Sequence, residues 1–498
     1  MRRTSRPLFA VLVTATASRL ATLALTFACD YLVTDFDSSS ALVDFHECYD
    51  DADFGGERGT WVGSLFAAST TDRGEPSGGG ALNEVLRRAV VWDGVHFVRI
   101  CQCGYEFDNQ IAFLPLWPLV MRTLQRAVLV PLSALLPSEL RVSRAAGCAL
   151  SGLVLSNLFF VLSAASLYRL ARRLGFGTAL ATQACLLYAF NPASVFYSSI
   201  YTESLYNLLH FEALFHLFDD RESASALLAS TALLTLATFA RSNGILSCSI
   251  VFAVRMREAL RILLGRVLAT EPRGGEGGTG VAARLMGQGL LAAAQCLAVV
   301  SPFYFYQVSF QLGWCQKHGE ALGNGTDPVE LRAEIDKMRF GWCEGSPLVP
   351  KVYRFIQASY WDVGLFKFYK ASQVPNFLLA APIWSCSLFE LSEAIRDALP
   401  GDSWGAKLGA IKRLVSDRQD YELFVLCLHW VLMLAVSVLI MNVQVSTRFL
   451  STCAPLYLIT ARLTGKKDKK AHVVWVVRFF ALYGILGCLL YPNFLPWV

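Results

Sequence analysis

The chain has 498 residues, of which 54% are hydrophobic and 17% charged, with a formal net charge of +5 and a mean hydropathy of +0.43. So much apolar surface with so little charge excludes an ordinary water-soluble enzyme, and the bilayer is the expected solvent. Apolar stretches close to the ~20 residues needed to cross hydrocarbon recur from end to end.

The first stretch, Leu8 to Cys29, follows Arg2, Arg3 and Arg6. Charge ahead of an apolar run also suits a signal sequence, but this run continues past Arg19 with no clear small-x-small cleavage site, so it reads as a retained anchor. A polar stretch from Asp30 to Val90 comes next, with an acidic cluster at Asp35, Asp44, Glu47, Asp50, Asp51 and Asp53 and a flexible segment from Arg73 to Gly80.

Then comes the octapeptide VVWDGVHF. Asp93 stands there among Trp92, Phe97, Tyr105 and Phe107, where partial loss of water would raise a carboxylate's proton affinity toward that of a useful general base. A sugar hydroxyl needs such a base. On a helical turn His96 faces the same way, three residues on. The plainer alternatives are a capping or turn aspartate before glycine and a structural histidine.

Apolar runs at Ile111 to Leu136 and Val142 to Leu167 read as two further spans. Simple counting then puts the basic segment Tyr168 to Arg173 on the far side of the membrane, which a broken or re-entrant helix would resolve. From Thr178 to Val267 the apolar character is almost continuous, and the number of crossings is open. Polar groups interrupt it at Asn191-Pro192, Tyr201-Thr202-Glu203-Ser204 and Arg241-Ser242-Asn243-Gly244, and a later group lies at Gln444 to Arg448. Charge in hydrocarbon is costly, so Glu203, Arg241 and Arg448 are expected to line a cavity, pair, or meet a lipid phosphate, which an arginine fork grips with parallel hydrogen bonds. The alternative for each is a loop-end side chain snorkelling to the interface.

A glycine-rich linker at Glu271 to Gly280 precedes the span Leu285 to Tyr306, and a second long polar stretch runs from Gln311 to Lys370. It carries the sequon Asn324-Gly325-Thr326, a glycosylation candidate if luminal. It also carries aromatic groups that include Tyr360 and Trp361, followed by Gln373 and Asn376, a mixture of rings and amides suited to sugars. Further spans run from Phe377 to Leu391, Leu423 to Met441, Phe449 to Leu463 and Val473 to Leu490. About ten to thirteen membrane helices are expected in all.

Short basic connections at Arg255 to Arg273, Lys407 to Arg418 and Arg462 to Lys470 belong on the cytosolic side, which leaves the two long polar stretches luminal. Of the 14 cysteines, Cys48, Cys101, Cys103, Cys315 and Cys343 lie in or beside those stretches, where disulfides are permitted but their pairing is open. Cys101-Gln102-Cys103 lacks zinc-site spacing, and neither metal nor cofactor is expected.

These pieces, in this order, resemble the glycosylphosphatidylinositol mannosyltransferase II family over nearly the whole chain. The resemblance rests on Trp92-Asp93-x-x-His96-Phe97, Gly104-Tyr105, Ala112-Phe113-x-Pro115 and Arg241-Ser242-Asn243-Gly244. It continues through Tyr360-Trp361-x-Val363-Gly364, Gln373 to Ala380, Val443-Gln444-Val445-x-Thr447-Arg448-Phe449 and the terminal Asn493 to Trp497. One departure is Gln110, with Asn109 before it, where the family pattern has asparagine ahead of Ala-Phe-x-Pro.

The resemblance implies an all-helical polytopic membrane protein of C-type glycosyltransferase (GT-C) architecture: one multi-pass domain over 1–498, with luminal loops at 30–110 and 311–373. It implies an endoplasmic reticulum enzyme that takes dolichyl-phosphate mannose, a substrate and not a cofactor. Its acceptor would be the glucosaminyl-phosphatidylinositol precursor that already carries one mannose, and the new linkage alpha-1,6. Asp93 and His96 would be catalytic. Trp92, Tyr105, Glu203, Arg241, Asn243, Tyr360, Trp361, Gln373, Asn376, Gln444 and Arg448 would bind substrate. The family also leaves room for a small membrane partner subunit; nucleic acid is not a partner. The rival classes are a lipid or solute transporter, which two inverted halves would favour, and a non-catalytic subunit, which would tolerate change at Asp93.

Overall fold

The computed structural model describes residues 2–34, 81–135, 141–219, 223–268, 278–323, 341–343 and 348–497, with single positions at 36, 48, 62, 137 and 346. The six acidic residues from Asp35 to Asp53, the segment Arg73 to Gly80, the sequon asparagine Asn324 and most of the glycine-rich linker lie outside the described residues.

The described residues form helices and no strand. In chain order these are α1 (Arg2–Leu32), α2 (Ala81–Arg88), α3 (Asp93–Cys103), α4 (Leu116–Leu124), α5 (Val130–Ala134) and α6 (Arg144–Arg173). Then come α7 (Thr178–Ala189), α8 (Glu203–Leu217), α9 (Ala224–Ala240), α10 (Cys248–Leu268), α11 (Gly278–Gly323) and α12 (Val352–Tyr360). The last are α13 (Val374–Ala398), α14 (Trp404–Ser416), α15 (Arg418–Leu439), α16 (Ser446–Leu450), α17 (Ala454–Leu463) and α18 (Lys470–Leu490). Ser143, Ser223, Ser403 and Asp417 each accept a backbone N–H in the first turn of the helix that follows, satisfying a donor the helix cannot.

Among the described residues, six helices, α1, α6, α11, α13, α15 and α18, are long and apolar enough to cross a bilayer, and α7 and α9 are shorter apolar helices. The run Ile111 to Leu136 is not a span. A 3-10 turn comes first, Pro115 caps α4, and the backbone then stays helical from Leu116 to Ala134 through a π turn, with Pro118 and Pro131 in the first turns of α4 and α5, where a missing donor costs least. The continuous apolar run from Thr178 resolves into α7 to α10.

The bundle has two distinct ends. At one, Arg173 pairs with Asp219 (2.9 Å), Arg418 donates to the Asp219 carbonyl (2.8 Å), and Gln419 donates to the Arg173 carbonyl (3.1 Å). Thr464 there donates to Gln183 (3.0 Å) and Lys466 to Asp397 (2.7 Å). The segment Tyr168 to Arg173 therefore joins the other basic connections. It was misplaced by counting Ile111 to Leu136 as a crossing.

The opposite end holds three disulfides, Cys48–Cys103, Cys101–Cys148 and Cys315–Cys343. Cys148, which the sequence places inside a span, sits in the second turn of α6. Disulfides at one end and basic side chains at the other are what a membrane separating an oxidising from a reducing compartment selects.

The first apolar segment is built into this bundle. α1 packs on α6, α7 and α18. The buried Arg19 donates to the carbonyls of Ser194 (2.7 Å) and Ala189 (3.0 Å) and to the Ser198 hydroxyl (3.0 Å), with its guanidinium over the Phe160 ring. A cation this deep is tolerated because its donors are spent and a ring face lies beneath it.

Candidate active site

At the disulfide end, the start of α3 brings Asp93 to the loop between α7 and α8. Trp92, just before it, holds a left-handed backbone (φ 52°), a strained conformation for a bulky residue. Its surroundings hold it there: the indole N–H donates to the Tyr491 carbonyl (3.1 Å) and the ring packs on Phe494. The terminal Asn-Phe-Leu-Pro-Trp element is therefore the clamp that aims Asp93. Gly487 is needed for the clamp to close, since a Cβ there would meet Trp497 at 2.9 Å.

Asp93 accepts from Arg448 Nη1 at 3.0 Å, Arg448 Nε lies 3.4 Å from Glu203 Oε1, and Glu203 pairs closely with Arg241. Two carboxylates thus alternate with two guanidiniums, supplied by α3, α16, the first residue of α8 and the C-cap of α9. Glu203 is fully buried, which its two cations make tolerable. Burial alone would penalise the Arg448 charge, but Asp93 and Glu203 more than offset it and keep the guanidinium firmly protonated. Arg448 also lies over the rings of Phe196 and Tyr201, and the Tyr201 hydroxyl accepts the Asp93 backbone N–H at 3.1 Å.

Asp93 is the partly exposed member of the row. Its side chain keeps 32% exposure and has a guanidinium partner. His96 is the more enclosed group: burial pushes its imidazole below the usual value, and the Asp93 charge offsets only part of this.

An aromatic wall extends the site. His96 stacks on Phe113 (centroids 4.6 Å apart), and Phe113 meets Trp361 edge-on. The Tyr360 hydroxyl lies 2.9 Å from both carboxylate oxygens of the buried Asp108, and Tyr353 donates to Ser242 at 2.8 Å. The segment from Asp93 to Phe113 and the second long polar stretch therefore meet beside the charged row. Beside Arg241, the buried Asn243 leaves both polar atoms of its amide without a protein partner. The turn that holds it requires Gly244, where a Cβ would come within 2.6 Å of the Thr238 Cα.

Some expected substrate-binding residues lie elsewhere. Tyr105 is buried and its hydroxyl is spent on the Phe113 carbonyl (2.6 Å), so it supports the wall from behind. Gln110 takes the Glu106 and Phe107 backbone N–H groups on its Oε1, the work its amide does in place of asparagine. Asn376 donates to Gln373 at 2.6 Å on the first turn of α13, and Gln444 lies in the turn that leads to Arg448. α13 packs against that turn and against α16.

Sequence reasoning missed Tyr201, Asp108 and Tyr491 as members of the site. Tyr201 lies two residues before Glu203 and Asp108 three after Tyr105, but their hydrogen-bond partners lie more than 100 residues away. Ligand-type atoms gather in two groups among the described residues. Cys48, Cys103 and Glu106 form one, whose sulfurs are joined in a disulfide; Cys386, Glu390 and His472 form the other, with Glu390 and His472 3.3 Å apart near the basic end.

At one end of a helical membrane bundle the structure thus presents a carboxylate, paired arginines and an aromatic wall. The family described as Mannosyltransferase (PIG-V) matches residues 78–498, and the chain belongs to it. "GPI alpha-1,6-mannosyltransferase 2" of Mus musculus is 28% identical over 464 residues, covering 82% of this chain and 87% of that protein. "GPI mannosyltransferase 2" of Drosophila melanogaster is 27% identical over 442 residues, covering 84% and 89%. Among solved structures, the oligosaccharyltransferase AglB of Archaeoglobus fulgidus, with an inhibitory peptide and a dolichol-phosphate, gives a TM-score of 0.42 at 11% identity. It covers 98% of this chain and 55% of that one, a likeness too slight to inform the site.

Proposed function

We propose that this chain adds an alpha-1,6-linked mannose, the second of the glycosylphosphatidylinositol anchor, from dolichyl-phosphate mannose to the precursor bearing one mannose. The membership above and the names of the relatives support the reaction class. The observation that carries the residue roles is the alternating row Asp93, Arg448, Glu203, Arg241. The site faces the lumen of the endoplasmic reticulum in this reading, which the disulfides at its end and the basic opposite end support.

Asp93 takes the proton from the acceptor's primary hydroxyl as its oxygen attacks the anomeric carbon. The bond from that carbon to the phosphate oxygen breaks, and the electron pair leaves with dolichyl phosphate, inverting a beta donor to an alpha product. Arg448 and Arg241 meet the leaving phosphate; bound together by Glu203, they are in place before charge develops, which is what makes such stabilisation effective. Because Arg448 is shared with Asp93, a phosphate bound on it sits beside the base. Asn243, Trp361 and Tyr360 are suited to hold the sugars, the amide by its free donors and acceptor and the rings by packing on pyranose faces. The neutral His96 helps position the acceptor against Phe113. Both substrates are lipids, so their sugars reach the lumen while their chains stay in hydrocarbon.

The reaction is tested with purified protein in lipid nanodiscs, labelled dolichyl-phosphate mannose and a synthetic one-mannose acceptor. A dimannosyl product cleaved by an alpha-1,6-specific mannosidase supports the assignment. A product of other linkage, or none, removes it.

A further inference from the structure

The geometry points to a zinc site at the basic end of the bundle, held by Cys386, Glu390 and His472 and separate from the charged row at the disulfide end. Cys386 and Glu390 stand one turn apart on α13, and His472 lies in the first turn of α18, so no local spacing in the sequence reveals the set. The Cys386 sulfur, a Glu390 carboxylate oxygen and a His472 ring nitrogen lie within 4.8 Å of one another. Around a tetrahedral zinc with bonds of ~2.0–2.3 Å, ligand atoms stand roughly 3.3–3.8 Å apart. His472 Nε2 and Glu390 Oε1 are already 3.3 Å apart. The sulfur has at most about 1.2 Å to close, within reach of a small side-chain rotation.

The Glu390 carboxylate is the group that calls for a cation. It is fully buried in an apolar bundle, where an isolated negative charge is costly. Oε1 accepts the Thr460 hydroxyl at 2.6 Å and meets His472, but no nitrogen or oxygen donor reaches Oε2, which is buried as well. The lysines of this end are engaged by other carboxylates, Lys466 by Asp397 at 2.7 Å and Lys469 by Glu393 at 3.1 Å. A carboxylate oriented by a hydroxyl on one oxygen, with a thiol and an imidazole for neighbours, has the surroundings of a metal ligand.

The donor set selects the ion. A thiolate and an imidazole suit zinc, whereas magnesium and calcium take oxygen ligands, and the carboxylate argues against copper(I). Charge closes too: thiolate and carboxylate carry one negative charge each, so a divalent ion with a neutral imidazole leaves the buried site neutral. Binding releases the thiol proton to solvent. Cys386 is a free thiol, available for this. Three protein ligands leave a fourth position for water, on the side where the His472 side chain keeps 13% exposure.

The ion acts as a tie between helices. His472 and Tyr491 bracket nearly the whole of α18, about 28 Å of helix, so the site is far from Asp93 and takes no part in sugar transfer. α13 and α18 each pack on α17, and the Tyr483 hydroxyl of α18 donates to the Leu379 carbonyl of α13 at 2.9 Å. Zinc would fasten the same two helices at their basic end.

The test uses the purified full-length protein in detergent, stripped with a chelator and titrated with zinc chloride or cobalt chloride. Zinc should bind one to one and raise Tm as its free concentration rises. Cobalt should give the visible bands of a tetrahedral ion together with a near-ultraviolet thiolate-to-cobalt band. Cys386→Ser should abolish the thiolate band and weaken zinc binding more than about a hundredfold, and Thr460→Val, which frees Glu390 to rotate, should weaken it about 10–100-fold. A Tm equal to that of stripped wild type shows that each variant is folded. X-ray absorption of zinc-loaded wild type needs no variant: one sulfur among nitrogen and oxygen neighbours supports the site. No zinc binding by wild type, zinc without sulfur or with several sulfurs, or an affinity unchanged in folded Cys386→Ser overturns it.

Discussion

Arg448 donates to Asp93 at 3.0 Å across 355 residues of sequence, and the same guanidinium lies 3.4 Å from Glu203. The pairing fixes the base and the phosphate-binding cation as one unit, so their substitutions should not add independently. Asp93→Asn should lower kcat by about 10²–10⁴ with little change in abundance. Arg448→Lys should also lose at least about tenfold, since a single ammonium cannot present two edges to two carboxylates. The double variant should be scarcely worse than Asp93→Asn alone. Steady-state kinetics of the three proteins check this, and multiplied losses would show that the residues act separately.

Glu203 is fully buried between two arginines. Glu203→Ala leaves two cations facing one another, and breaking a buried pair costs about 3–5 kcal/mol. Thermal unfolding in detergent should show a large fall in Tm, accompanied by loss of activity. A fall equivalent to less than about 1 kcal/mol would show that solvent or lipid already compensates the arginines.

Gly244 illustrates the difference between a legible motif and a legible reason. Arg241-Ser242-Asn243-Gly244 stands out in the sequence, but the need for glycine becomes visible only where Thr238 backbone closes on it at 2.6 Å. Gly244→Ala must push Thr238 away and shift Arg241, at a cost of about 1–3 kcal/mol. Its kcat should fall more than its stability suggests, because Arg241 is aimed by that turn. Unchanged kcat in a correctly folded protein would free Arg241 from its place at the leaving group.

Membrane residence and helix content were legible because apolar stretches are long and the charges between them few. The failed reading was Ile111 to Leu136, where only Leu116 to Ala134 is one helical run and it carries Arg122 and Arg126, and counting it as a crossing reverses the side given to Tyr168 to Arg173. Asp93, Glu203, Arg241 and Arg448 were legible individually, as costly charges in apolar surroundings. Their order in the row was not, and neither were Asp108 with Tyr360 or Trp92 on Tyr491, since contacts between distant segments leave no local periodicity. Cys148 escaped notice because its sequence neighbours are apolar, although the second turn of a membrane helix can still lie at the oxidising face.

His96 gives the protein a pH dependence of stated sign. Its imidazole titrates lower folded than unfolded because burial disfavours the cation. The unfolded chain therefore binds more protons near pH 6, so the contribution of His96 is complete above about 6.5 and is lost as pH falls through the lower folded value. Tm should decline as pH falls below about 6.5 more steeply in wild type than in His96→Asn. Parallel pH profiles for the two proteins would mean that His96 is not the group responsible.

The central claim is tested most directly in cells that lack the second anchor mannosyltransferase, by expressing wild type and Asp93→Asn at matched levels and analysing both surface anchored proteins and precursor glycolipids. The account predicts that wild type restores surface display while Asp93→Asn leaves the one-mannose precursor accumulating. Full rescue by Asp93→Asn would contradict the catalytic role of Asp93, and a wild type that leaves the one-mannose precursor unchanged would contradict the reaction.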